Sequence, residues 1–162
     1  MGLLGPDKHS AYKKGLKKMD KGDFSGANRE FERAITFDPE FASAWCDRGV
    51  AQQNMGNEEE SMRCYEKSIE LDPDFIRAWH NKSALLYKNE DYKGALDCMD
   101  RMLEMPLKEG DRVNILNNKA MILMKTGNYT EALEYYNKAL DIDPSNGVVL
   151  ENKRKLEEKL TN

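Results

Sequence analysis

The stretch LNNKAMILMKTGNYTEALEYYNKALDIDP, residues 116–144, decides how the rest of the chain is read. Gly127-Asn128 divides it. Glycine enters a left-handed turn at low steric cost, so one helix is predicted to stop there and a second to follow. Along Ala132, Leu133, Tyr136, Ala139 and Leu140 the apolar residues recur at spacings of three and four, as one buried helical face requires. Pro144 then ends the second helix, because it lacks an amide donor and clashes with the preceding turn.

The same hairpin is written several times. Trp45 and Trp79 lie 34 residues apart, and so do Gly22 and Gly56, Phe31 and Tyr65, Ala34 and Ser68, and Pro39 and Pro73. Set in register, the segments are 8–41, 42–75, 76–112 and 113–146. Between the third and fourth the spacing is 37, as from Trp79 to Leu116, and the surplus is expected as a longer turn around Pro106–Asp111. No segment alternates as a strand does. A fixed period of this length marks stacked supersecondary units.

These residues resemble the tetratricopeptide repeat family. That family places a large residue and a small one on the first helix, then a tight Gly-Asp-aromatic turn. A small residue, an aromatic, another small residue and a closing Pro follow. The fourth segment carries Leu116, Ala120, Leu123, Gly127-Asn128-Tyr129, Ala132, Tyr136, Ala139 and Pro144. The first carries Gly15, Gly22-Asp23-Phe24, Ala27, Phe31, Ala34 and Pro39. The second carries Trp45, Gly49, Gly56-Asn57, Ser61, Tyr65, Ser68 and Pro73. The third carries Trp79, Ser83, Leu86, Asp91-Tyr92 and Ala95. The resemblance implies an all-α fold, a right-handed α-solenoid of four helix-turn-helix hairpins. Residues 1–7 would extend it at the N terminus. Residues 147–162 would form a C-terminal capping helix and tail, with Leu150, Leu156 and Leu160 apolar and a charged outer face.

The departures matter. Lys14, Arg48, Lys82 and Lys119 stand where the family favours Leu, and their long stems are expected to cover apolar surface while the charges reach water. Glu90 replaces the turn glycine in the third segment, and Met102 replaces a small residue.

The composition narrows the function. A net charge of −4 argues against a general phosphate-backbone binder, so no nucleic acid is expected. No apolar run approaches the roughly 20 residues that span a bilayer, so no membrane partner is expected either. Met1–Pro6 lacks the basic start and apolar centre of a secretory leader, and Pro6 spoils the acylation pattern that Gly2 opens. Cys46, Cys64 and Cys98 are odd in number and widely spaced, which suits reduced thiols and a cytoplasmic location. Asn81-Lys-Ser83 and Asn128-Tyr-Thr130 match the glycosylation acceptor pattern, which such a location leaves unused. His9 and His80 have no partner at metal-ligand spacing, and no phosphate loop, dinucleotide loop or nucleophile elbow occurs. The expectation is no cofactor, no metal, no catalytic residue, and a protein that is not an enzyme.

What remains is the wall that the resemblance implies, where the first helices of successive hairpins line a groove. Carried over by position, the second hairpin contributes Asp47 and Val50. The third contributes Arg77, His80, Asn81, Ala84, Tyr87 and Lys88. The fourth contributes Asn114, Asn117, Asn118, Met121 and Lys125, and Tyr12, Leu16 and Cys46 belong to the same wall. Asn81 and Asn118 occupy equivalent places, and an amide pair can hold an extended peptide backbone through its donor and acceptor. The expected partner is a protein or extended peptide, with a lean toward acidic ligands because the wall's lysines and arginine outnumber its aspartates. Self-association into a homodimer is the alternative.

In the chaperone-binding subtype of the family, five residues clamp a C-terminal carboxylate. Those places hold Tyr12, Leu16, Asp47, Arg77 and Asn81 here, or Cys46, Val50, Asn81, Asn114 and Asn118 one hairpin later. Neither set rebuilds the clamp. Titration with a chaperone tail peptide should therefore show no clamp-type binding, and a micromolar, Arg77-dependent affinity would overturn that expectation.

Overall fold

The computed structural model describes residues 7–161, which form nine helices and no strand. In order they are α1 (Lys8–Met19), α2 (Phe24–Phe37), α3 (Ala42–Asn54), α4 (Glu58–Leu71), α5 (Ile76–Lys88), α6 (Tyr92–Leu103), α7 (Glu109–Lys125), α8 (Tyr129–Ile142) and α9 (Gly147–Thr161). The readings of residues 1–6 lie outside the described residues. Asp7 is the N-cap of α1, its carboxylate accepting from the Ser10 amide at 2.7 Å. The chain divides within α5 into two compact units, one running to Leu85 and one starting at Leu86.

In the first unit, α1 packs on α2 and α3 on α4. What sets their separation is an aromatic ring against a residue with almost no side chain. Phe31 of α2 and Tyr65 of α4 are fully buried. A methyl group added at Gly15 would lie 2.5 Å from the Phe31 ring, and one at Gly49 would lie 2.6 Å from the Tyr65 ring. Such distances are inside van der Waals contact, so the two helices close to this spacing only over glycine. Trp45 and Trp79 repeat one fastening: each indole N–H donates at 2.8 Å to a proline carbonyl six residues earlier, Pro39 and Pro73. Burial also raises three acidic groups of this core. The Cys46 and Cys64 thiols are pushed up to about 11 and the Tyr65 phenol to about 12, in each case first by desolvation.

In the second unit, Ala120 and Tyr136 share a buried cluster with Leu116, Leu123, Ala132 and Ala139. The helix α9 closes it with Val149 and Leu156. This corrects the sequence reading of that helix, which named Leu150, Leu156 and Leu160. Only Leu156 is buried; Leu150 and Leu160 are exposed. The inner face is Val149, Asn152, Lys153 and Leu156, spaced three, one and three as a helix demands. A second correction concerns Pro106–Asp111. Most of the surplus is helix, since α7 starts at Glu109 and runs 17 residues against 13 for α3 and α5. Glu109 and Asp111 sit in its first turn, where negative charge suits the positive end of the dipole.

All four hairpin turns share one hydrogen-bond pattern. In the fourth, the Gly127 amide donates to Met124 O and the Asn128 amide to Leu123 O, the paired bonds of a Schellman closure. The residue completing each closure is also the N-cap of the next helix: Asp23, Asn57, Asp91 and Asn128. Gly22, Gly56 and Gly127 hold the required left-handed position at φ 73°, 83° and 84°. Glu90 occupies it in the third turn at φ 62°, with the same two bonds, to Tyr87 O and Leu86 O. A side chain there costs about 1–2 kcal/mol.

Two measurements follow. Glu90→Gly should stabilise the protein by about 1 kcal/mol, a rise in Tm of roughly 2–4 °C; an unchanged or lower Tm would show the turn to be unstrained. Stability should also fall in alkali. The raised thiols and phenol keep their protons in the folded chain when the unfolded chain has lost them, so their contribution is complete below pH 9 and is lost as pH rises toward 12. Melting curves from pH 8 to 11 check this, and Cys46→Ala with Cys64→Ala should flatten the decline.

Candidate functional site

The wall positions fall in both units. In the first, three consecutive first helices are joined by one buried carboxylate. Asp47 of α3 is only 4% exposed. Its Oδ2 accepts from the Tyr12 hydroxyl of α1 at 2.5 Å and from Arg77 Nη2 of α5 at 3.2 Å, while Oδ1 accepts from Arg77 Nη1 at 2.7 Å. A buried carboxylate is tolerated only with such compensation, and a two-pronged guanidinium is its best partner. The Tyr12 phenol is pushed up to about 12, by burial first and then by Asp47. Asp47 and Arg77 therefore neutralise each other at this wall, and the cationic character that Arg77 lent to the sequence reading is spent internally. Arg77 stays half-exposed with its guanidinium over the Phe75 ring at 5.2 Å.

Of the other first-unit positions, His80 and Ala84 are exposed, and Val50 and Asn81 are half-buried. The Asn81 amide donates to the Cys46 sulfur at 3.4 Å. Asp47 from Tyr12 and Asn81 from Cys46 are each 35 residues away, one more than the sequence period. Parallel first helices thus touch through residues one step out of register.

The second unit repeats that contact. Asn152 of α9 donates to Asn117 Oδ1 at 2.9 Å, again 35 residues on, so α9 lies beside α7 as a further first helix would. Asn117 is buried by it and faces Asn152 instead of solvent. Asn118 is half-buried, and Asn114 and Lys88 are exposed. Tyr87 and Met121 are 40% and 42% exposed. Lys125 ends α7 with its ammonium 5.0 Å from the Tyr87 ring centroid and 5.2 Å from that of Tyr92, and the two rings meet edge to face at 5.7 Å. Hydrogen bonding to Tyr92 first, and then the electrostatic influence of Tyr87, hold the Lys125 ammonium above its ordinary range.

Three of the four cations standing in leucine places are structural, and Lys14 is exposed. Arg48 pairs with Glu60 at 2.9 Å, Lys82 with Glu66 at 2.9 Å, and Lys119 with Asp100. The Lys119 side chain is 6% exposed and lies over the Tyr135 ring at 4.4 Å. Sequence reasoning did not foresee the partners Tyr92 and Asn152. The offset of the period by one residue marks Asn152, and nothing linear marks Tyr92 beyond its place in the turn. Among the described residues no group of three His, Cys, Asp or Glu side chains is placed to hold a metal, and the three cysteines are buried and not joined in disulfides. No helix among them is long and apolar enough to cross a membrane.

Comparison with known proteins gives the chain its relatives. Family profiles described as tetratricopeptide repeat match residues 42–75 and 113–146, and 64–97; one described as TPR repeat matches 15–56. Among curated proteins, the chain is 38% identical over 71 residues to the Photosystem I assembly protein Ycf3 of Prochlorococcus marinus (strain MIT 9211), covering 44% of this chain and 41% of that one. It is 39% identical over 62 residues to Ycf3 of Synechococcus sp. (strain CC9902), covering 38% and 36%. The matches thus span about two-fifths of the curated relatives' length. Among solved structures, one described as functional characterization of Pseudomonas aeruginosa pilF superposes with a TM-score of 0.81 at 20% identity, over 95% of this chain and 69% of that one. A crystal structure of MamA protein gives 0.74 at 20% identity, over 95% and 86%. A tetratricopeptide repeat protein from Parabacteroides merdae ATCC 43184 gives 0.82 at 18%, over 93% and 59%. At these identities the structures speak for the fold alone. With its paired helices, its shared turn pattern and family profiles along most of its length, the chain belongs to the tetratricopeptide repeat family.

Proposed function

We propose that the chain is a non-catalytic scaffold that holds another protein, or an extended peptide of one, against the outward faces of its first helices. One observation carries this reading. Leu16 in α1, Tyr87 in α5 and Met121 in α7 are large apolar residues left exposed, and all three stand at positions assigned to the groove from the sequence. Exposed apolar groups set among polar ones suit a partner that brings both kinds of contact. The chemistry of the family, which works by holding proteins, points the same way, and the curated relatives are named for an assembly role.

Asp47 and Asn117 enter this reading as positioning residues, since both are buried and bonded to a neighbouring first helix. His80, Ala84, Tyr87, Asn114, Met121 and Lys125 are exposed and are the proposed contact residues.

Affinity capture with mass spectrometry provides the test. His80→Glu combined with Met121→Glu changes one exposed residue in each unit. It should remove the captured partner while leaving the melting temperature nearly unchanged, because surface changes away from packed groups usually stay within about 0.5 kcal/mol. Capture that survives both changes would place the contact elsewhere. If light scattering across a dilution series showed only a concentration-dependent dimer and nothing were captured, self-association would replace the scaffold reading.

A further inference from the structure

The outward stripe of α7 runs through Asn114, Asn118, Met121 and Lys125, spaced four, three and four, so the four side chains share one face. Three of them are exposed and Asn118 is half-buried. Eleven steps of 1.5 Å make the stripe about 16 Å long, the length of roughly five residues of extended chain. At its end the Lys125 ammonium rests against the faces of Tyr87 and Tyr92.

That arrangement fixes the sign of the ligand. The two ring faces already hold a cation, so a basic ligand finds its favourable seat taken and a like charge beside it. The stripe itself contains no carboxylate to offset a second cation. Among neighbouring acids, Asp91 is turned into the N terminus of α6, where its Oδ1 accepts from the Gly94 amide at 2.9 Å. An ammonium has three donors, and one hydrogen-bonded beside these rings still has a donor left for an incoming acceptor. Because the rings restrict it beforehand, less freedom is lost when an anion arrives. Met121, one turn before Lys125, and the exposed part of Tyr87 supply apolar surface beside the charge.

The geometry points to an extended peptide in which a carboxylate adjoins a large apolar side chain, the carboxylate pairing with Lys125 and the apolar group lying on Met121 and Tyr87. The amides of Asn114 and Asn118 face its backbone. This inference rests on the scaffold reading and narrows it to one unit and one ligand chemistry.

Fluorescence anisotropy with the full chain tests it, using three labelled hexapeptides: Gly-Ser-Leu-Phe-Asp-Glu, the same peptide ending Lys-Lys, and the same ending Ser-Ser. The acidic probe should bind about tenfold tighter than the Lys probe, with the Ser probe between. Lys125→Met should weaken the acidic probe about tenfold and leave the Ser probe within about twofold, while Lys125→Arg, which keeps charge and ring contact, should restore it. Added salt should weaken the acidic probe selectively. Circular dichroism melts confirm that the variants are folded. The inference is overturned if the Lys probe binds as well as the acidic one, if Lys125→Met changes nothing, or if the acidic probe fails to saturate at about 1 mM. A captured partner that survives Lys125→Met but is lost with His80→Glu would likewise sink it, and would leave the scaffold reading standing.

Discussion

An aromatic ring lying on a residue with no bulk is the contact on which the hairpins depend. Phe31 over Gly15 and Tyr65 over Gly49 leave no space for even a methyl group, so the distance between paired helices is set by the thickness of a ring. Everything else is placed relative to that distance. Small residues on the partner helix, such as Ala27 and Ser61, are wholly buried because nothing larger fits there. Ala120 in the fourth hairpin shows that the constraint has some slack when the partner ring is Tyr136, although the Tyr136 hydroxyl is then buried with no hydrogen-bond partner.

Much of this was legible in the linear sequence because the signals were steric and local. Glycines marked left-handed turns, prolines marked helix ends, and the recurrence of Trp, Phe and Tyr at fixed distance gave the register. In the second segment α3 ends at Asn54, two residues before Gly56, and α4 ends at Leu71, two before Pro73. The polar contacts were a different matter. Asp47 reads as a solvent-facing wall residue by position, and only the meeting of α1, α3 and α5 reveals that it is buried between Tyr12 and Arg77. Asn117 misleads for the same reason, since its partner Asn152 lies on a helix that the pattern described only as a cover.

The errors at the C-terminal side have their own cause. Counting leucines favoured Leu150 and Leu160 in α9, yet the spacing of six between Leu150 and Leu156 does not keep to one face, and the smaller Val149 is the buried residue. Around Pro106 the proline suggested a long turn. Proline disturbs the turn before it and not the chain after it, and an acidic first turn from Glu109 starts the next helix soon after.

The four hairpin turns assign two duties to one residue. Asp23, Asn57, Asp91 and Asn128 each finish the carbonyl pairing of one helix while opening the next. A residue inserted there would separate those duties and leave backbone groups at one helix end unmatched. The links between hairpins have no such double occupancy, and at one of them Arg112 reaches back to the carbonyls of Leu103 and Met105. Length variation is thereby steered away from the turns, toward the links and toward helix ends such as the early start of α7, and each turn is kept at constant gauge.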